Sequence, residues 1–346
     1  MNAVSPITTQ MAREIAEIPA VVRRQIADGL AVYREEGERL RALDPRLVVT
    51  CARGTSDHAA TFFKYLTEAR LGVPVNSIGP SIASVYGARM RLAGAACLTI
   101  SQSGGSPDLV TMQGAAREGG ARTVAFLNVA DSPVESGADA VLPMLAGPEK
   151  AVAATKSYVA SLVALAAVHA GLAGDTALLA AIERLPEALE VALAQDWTEA
   201  LVPVAMGTSL FTVSRGPGLS VAGEAALKFK ETCRLHAEAY SAAEVRHGPI
   251  ALARDRFAAI VFVPQDEGRA GVLEAAAIMR GAGARVLILD QEEQKSPWLA
   301  TAKAPHPALA PICQAVSFYR FIEQLSAQLG ENPDAPLHLQ KVTRTT

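Results

Sequence analysis

The apolar run from Ala93 to Ile100 leads straight into Ser101-Gln-Ser-Gly-Gly-Ser106 and then into Pro107-Asp108, an order of residues that few folds accommodate. The run reads as a buried parallel strand. The turn after it places small side chains and unpaired backbone N–H groups at the start of a helix. Helix N-termini attract anions, because their first amides lack partners and the helix dipole is positive there. Three hydroxyls and two glycines add donors and let the backbone close around a tetrahedral oxyanion. The loop contains no Lys, which excludes the Gly-x-x-x-x-Gly-Lys-Ser/Thr nucleotide loop and favours a sugar phosphate over ATP. The same residues also suit plain capping, with Ser103 or Ser106 as N-cap.

The surrounding pattern repeats this alternation. Residues 8–43 carry Met11, Ile15, Ile18, Val22, Ile26 and Leu30 at helical spacing, and Asp44-Pro45 ends the run. Strands follow at Leu47 to Cys51, Val73 to Ile78, Ala93 to Ile100, Thr123 to Val129 and Ala140 to Leu145, with helical segments between most of them. The pattern restarts after Trp197, with strands at Ser209 to Ser214, Ala259 to Pro264 and Ala284 to Leu289, and a helix from about Leu219 to Thr232. Gly174 to Asp196 reads as the linking helix. Such alternation implies parallel sheets covered on both faces. The fold expected is α/β, with two doubly wound parallel-sheet domains in tandem. A helical segment over 1–43 precedes domains over 44–175 and 195–330, and a polar tail over 331–346 follows.

Ligands in open parallel sheets bind beyond the carboxyl ends of the strands. Three hydroxyl-rich turns belong there: Gly54-Thr-Ser56, the 101–106 turn, and Ala153-Ala-Thr-Lys-Ser157 after Gly147-Pro-Glu149.

Composition narrows the class. Net charge is −3 with mixed signs, which leaves no electrostatic footprint for nucleic acid or an anionic membrane. No apolar stretch reaches spanning length without interruption, and Val159 to Leu172 reads as a buried helix. The segment from Met1 to Glu17 lacks the basic-then-apolar order of a signal peptide. Cys51, Cys97, Cys233 and Cys313 lack paired spacing, which argues for a reducing cytoplasm and against a zinc or disulfide framework. No metal, nucleotide or other cofactor is implied.

A second segment bears acid–base chemistry. In Glu224-Ala-Ala-Leu-Lys-Phe-Lys-Glu231, the residues Glu224, Leu227, Lys228 and Glu231 share one helical face. For most helices that would be a solvated ion pair. Here His236, Glu238, Glu244 and His247 follow within a few turns, and His247 precedes Gly248-Pro249, where a ring can project into a pocket. A carboxylate and an imidazole beside a sugar phosphate suit proton transfer between adjacent carbons.

Taken together, Ser101-Gln-Ser-Gly104, Gly147-Pro-Glu149, Thr155-Lys156 and the block from Glu224 to Pro249 resemble the sugar-isomerase (SIS) domain family. They are most similar to the isomerase half of glucosamine-6-phosphate synthases, and the likeness extends over nearly the whole chain. The resemblance implies phosphate or sugar contacts at Ser56, Ser101, Gln102, Ser103, Ser106 and Val152. It implies Glu231 as the base that moves a proton between C1 and C2, with Lys228 beside it. His247 would open the ring across a dimer interface, and Lys341 in the tail would form a Schiff base with the open-chain ketose. The glutaminase half, with its cysteine after the initiator Met, has no counterpart in Met1-Asn-Ala3. Arg53, in the turn before Ser56, resembles stand-alone SIS deaminases and joins the binding set.

The activity expected is a cytoplasmic, homodimeric deaminase that converts glucosamine 6-phosphate to fructose 6-phosphate and ammonia. The alternatives are galactosamine- or fructosamine-6-phosphate as substrate, or a non-catalytic sugar-phosphate regulator. Residues 1–43 are too few and too little basic for a helix-turn-helix unit.

Overall fold

The computed structural model describes residues 9–254, 256–292 and 298–341. The ends of the expected N-terminal segment (1–8) and tail (342–346) lie outside the described residues. Helices α1 (Gln10–Ala16) and α2 (Ile18–Leu43) lead into β1 (Val48–Cys51), α3 (Thr55–Leu71), β2 (Val75–Ser77) and α4 (Ser81–Ser84). β3 (Ala96–Ser101), α5 (Pro107–Glu118), β4 (Arg122–Leu127) and β5 (Ala140–Pro143) complete the first sheet. Helices α6 (Lys156–Ala173), α7 (Thr176–Glu183), α8 (Leu185–Leu193) and α9 (Thr198–Ala205) carry the chain across. The second half holds β6 (Ser209–Ser214), α10 (Leu219–Cys233), β7 (Ala237–Ser241), β8 (Phe257–Phe262), α11 (Arg269–Gly281), β9 (Arg285–Asp290), β10 (Trp298–Ala300) and α12 (Ala310–Gln328).

The sheets run β2-β1-β3-β4-β5 and β10-β9-β8-β6-β7, five strands each and parallel throughout. Read from its first strand, each unit has the same plan. The second strand pairs on one side, and the third, fourth and fifth extend on the other. The tandem α/β architecture anticipated from the strand–helix alternation is therefore the architecture observed.

Four local expectations are corrected. The single N-terminal helix is two, broken at Glu17, because Pro19 sits in the first turn of α2 and disfavours continuous helix before it. Pro186 divides the linking helix into α7 and α8 in the same way. The edge strand β7, which carries Glu238, is not among the expected strands; it follows Arg234, which ends α10 in a left-handed conformation (φ 54°) close to the expected Thr232. The short edge strand β10 was not anticipated.

Helix α6 forms the centre of the molecule. It is long and apolar enough to cross a membrane by length and composition, yet residues Lys156 through Leu172 are all buried inside the protein. It packs against α2 at two glycines. A Cβ on Gly37 would lie 2.2 Å from the Val168 carbonyl oxygen, and one on Gly171 would lie 2.4 Å from that of Arg34. Backbone meets backbone there, so neither neighbour can step aside. Arg122, at the start of β4, adds two 2.8 Å hydrogen bonds to the buried carboxylate of Glu36 on α2.

One buried and one partly buried histidine carry a pH dependence. His169 on α6 meets the hydroxyl of Thr67 on α3 at 3.2 Å, and burial lowers its pKa to about 4, with Asp175 and Arg70 making smaller opposing contributions. His58 on α3 lies against Gly223 of α10, and burial, with Lys228 and Lys230, lowers it to about 4 as well. Both are neutral in the folded state, whereas the unfolded chain takes up their protons near pH 6.5. Stability is therefore fully present above pH 6.5 and is lost as pH falls toward 4, by on the order of 3 kcal/mol for each histidine.

Urea unfolding should show that decline, and His169→Gln should make the acid limb shallower; an unchanged slope would exclude the buried neutral imidazole as its source. Gly37→Ala should lower stability by about 1–3 kcal/mol through backbone overpacking, measured by the same method.

Candidate active site

The site is built where each strand hands over to a helix. After β1, the backbone turns at Gly54 (φ 53°, ψ −127°), a conformation open in practice only to glycine, and α3 begins. After β3, Gly104 (φ 60°) turns the chain so closely that a Cβ there would lie 2.1 Å from Ser132 Oγ. The Gly104 amide donates to Ser101 Oγ at 3.0 Å, and the Gly105 amide donates to Ser103 Oγ at 3.4 Å, which fixes both hydroxyls. Ser106 occupies the N-cap position of α5, but its side chain makes no capping hydrogen bond. Plain capping thus does not account for Ser106.

Strands β1 and β3 are neighbours, with Cys51 opposite Thr99, and their onward connections run in opposite directions. Such a switch point opens a crevice between the two turns. The cleft found there has a volume of 290 Å³ and is lined by Arg53, Gly54, Ser56, Ser101, Gln102, Ser103, Ser106 and Lys341. Arg53 is half-exposed and donates from Nε and Nη2 to Asp108 Oδ2, at 3.0 and 2.8 Å. Asp108 itself is buried on α5, so this pair ties the two turns together. No local pattern signals this partnership beyond an acid in the first turn of a helix.

The third hydroxyl-rich turn behaves differently from the expectation that it joins the phosphate pocket. Three of its donors go to Glu149, whose side chain is fully buried, while the Lys156 ammonium pairs with Glu17 and the Thr155 hydroxyl has no partner among the described residues. The amides of Thr155 and Ser157 donate to Glu149 Oε1 at 3.0 and 3.1 Å, and Ser157 Oγ donates to Oε2 at 2.7 Å. Lys341 Nζ completes the set, 2.7 Å from Oε2. Burial alone would raise the Glu149 pKa, but Lys341 and the two amides hold it below the usual carboxylate range. Val152 does not line the cleft. Its amide donates to the Asp334 carbonyl at 3.1 Å, which docks the tail on the same loop.

The acid–base helix α10 lies across the boundary between the two units. Lys228 is fully buried, 2.6 Å from Glu231 Oε2 and 3.1 Å from Glu224 Oε1, and it donates to Thr55 Oγ1 at 3.1 Å. A Cβ on Gly54 would lie 4.0 Å from Leu227 Cδ2, so this helix abuts the wall of the cleft. Burial would lower the Lys228 pKa, but its two carboxylates raise it above the usual lysine range. Burial pushes Glu224 up to about 7 despite Lys228, and Tyr319 OH donates to it at 2.8 Å. Glu231 keeps a partly open face, with a quarter of its side chain accessible.

The remaining expected acid–base groups are not brought to this cleft. His236 meets Ser209 Oγ at 3.0 Å and Glu238 accepts from Tyr240 OH at 2.9 Å, both along β6 and β7. Glu244 and His247 are exposed on a short 3₁₀ turn after β7, and His247 does not line the cleft within the chain. The corresponding turns of the second unit, 215–218 after β6 and 263–268 after β8, contain no Ser or Thr. Arg269 there makes bonds of 2.9 and 2.7 Å to buried Asp290, which Gln265 also contacts at 3.1 Å. Among the described residues, no group of three or more His, Cys, Asp or Glu side chains is arranged to hold a metal ion.

Comparison with known proteins fits this geometry. Residues 44–170 and 207–324 match the SIS domain. The glutamine-fructose-6-phosphate aminotransferase (isomerizing) of Zymomonas mobilis is 31% identical over 96% of this chain, which spans only 58% of that relative. A solved structure provisionally described as a phosphosugar isomerase, from Silicibacter pomeroyi, superposes with a TM-score of 0.88 at 42% identity, covering 94% of this chain and all of that one. A glucosamine-6-phosphate deaminase from Thermotoga maritima shares the fold, with a TM-score of 0.77 at 17% identity over 97% of this chain and all of its own.

Lys228→Met should destabilise the protein by about 3–5 kcal/mol in urea unfolding, because it strands two carboxylates, one of them fully buried. A loss below about 1 kcal/mol would mean that the ammonium does not hold this contact.

Proposed function

The chain belongs to the SIS domain family, and on that premise we propose that it is a deaminating phosphosugar isomerase acting on glucosamine 6-phosphate. The observation that carries this reading is the convergence of a hydroxyl-lined anion cleft, the tail amine of Lys341 and the Lys228–Glu231 pair behind its Gly54–Thr55 wall. Phosphate-holding groups then lie on one unit and a general base on the other, an arrangement suited to an extended open-chain sugar.

In this reading the phosphate is held by Ser101, Gln102, Ser103, Ser106 and Ser56, with Arg53 as the cation beside them. His247 of a second copy opens the ring, which requires a homodimer with shared sites. Glu231 takes the proton from C2 of the open-chain aldehyde and returns it to C1, which leaves a C2 imine and a C1 hydroxymethyl group. Lys228, held as an ammonium, offsets the negative charge that develops while the proton is in transit. Water adds to the imine carbon and ammonia leaves, giving fructose 6-phosphate. Lys341 is the amine that can capture the same C2 as a Schiff base, exchanging water or ammonia for the carbon–nitrogen bond. The reducing cytoplasm is the compartment that suits four unpaired cysteines, all buried.

Ammonia release across a panel of hexosamine 6-phosphates, with and without glutamine, tests the activity, and release from none of them would sink it. Glu231→Gln should lower kcat at least about 100-fold while the Kd for the sugar phosphate stays within about threefold. Near wild-type turnover would remove Glu231 as the base.

A further inference from the structure

The Lys341–Glu149 contact joins residues 192 positions apart, and none of the function proposed above uses Glu149. We propose that Glu149 is the positioning residue of the tail: its buried carboxylate fixes Lys341 Nζ at the cleft, so that docking of the tail and completion of the site are one event.

The argument rests first on charge. The Glu149 side chain has no solvent contact, and its two oxygens already accept from two amides and one hydroxyl. Those donors also place it at the N-terminus of α6, where a negative charge is favoured whether or not the tail is present. What they do not supply is a full opposite charge. Among the described residues, Lys341 is the one side-chain cation on Glu149. Of the neighbouring cations, Lys156 is committed to Glu17 at 2.5 Å. Removing Lys341 from Glu149 leaves a buried carboxylate without a counter-charge, which is strongly unfavourable. The pull on the tail is therefore built into the body before the tail arrives.

The second support is a separate anchor. Asp334 binds the same loop through its carbonyl and Val152, while its carboxylate accepts from the amides of Gln10 and Met11 at 2.8 and 2.7 Å. This anchor limits how far the tail can search, and Glu149 sets where its amine stops. That amine lines the cleft beside Ser101 and Arg53.

That Lys341 is an imine-forming amine rests on the function proposed above; that Glu149 positions it does not. The test therefore has two arms. Hydrogen exchange of the 331–341 segment should be at least tenfold faster in Glu149→Gln and in Lys341→Ala than in the wild-type chain. Lys341→Ala leaves the α6 cap intact, so it separates tail release from any damage to the fold caused by Glu149→Gln. In the second arm, borohydride trapping of fructose 6-phosphate on Lys341, followed by mass spectrometry, should slow at least tenfold in Glu149→Gln. The Kd for fructose 6-phosphate should stay within about threefold, and Glu149→Asp should recover part of the trapping rate. Wild-type exchange in either tail variant, or undiminished trapping in Glu149→Gln, overturns the proposal. Absence of any wild-type adduct, with both variants releasing the tail, refutes the Lys341 imine while upholding Glu149 as the tail's anchor.

Discussion

A single buried ammonium holds the two halves of the molecule in register. Lys228 has no access to water, yet it sits between two carboxylates of its own helix and reaches the Thr55 hydroxyl of the other unit. A charge in that position is tolerable only when its partners are well placed, and loss of either carboxylate exposes the full desolvation penalty. The same arrangement divides labour between the carboxylates. Glu224 is enclosed and raised by burial, with Tyr319 as a further donor, whereas Glu231 keeps an open face. One ion cluster thus fixes a contact between the units and leaves only one of its two carboxylates, Glu231, open to solvent.

The duplicated topology shows how little of a binding site is specified by fold alone. Both sheets have a switch point, between β1 and β3 in the first and between β6 and β8 in the second. In the first, glycine turns and four serines leave a cleft open to an anion. In the second, the bidentate Arg269–Asp290 pair and Gln265 satisfy one another. Short polar side chains line an open cleft in the first, while long paired ones consume their own hydrogen-bonding capacity in the second. The difference between the switch points lies in their side chains.

Much of this was legible in the residue order. Buried parallel strands appear as apolar β-branched runs, and the 101–106 turn declares itself through glycines and hydroxyls that have no packing use. The α10 face was readable from its spacing of three and four. What escaped has a common physical origin. Arg53–Asp108, Asp334 with the start of α1, and Glu149–Lys341 join residues 55, over 300 and 192 positions apart, and no local periodicity records such pairs. The edge strand β7 escaped because its small Ala-rich sequence suits a helix equally well, and only pairing with β6 decides it. The third hydroxyl turn was misjudged for a related reason. Its donors face a buried acid, and composition alone cannot distinguish an internal anion from an external one.

The capping of α1 by Asp334 also bears on how this chain architecture accepts neighbours. The first described helix starts against the last described segment, so the two extremities of the fold emerge side by side, next to the loop that bears Glu149. A module spliced ahead of Thr9 would enter adjacent to the tail and within reach of the cleft mouth, rather than at the far side of the sheets. Any movement it underwent would bear on the Asp334 anchor of the tail.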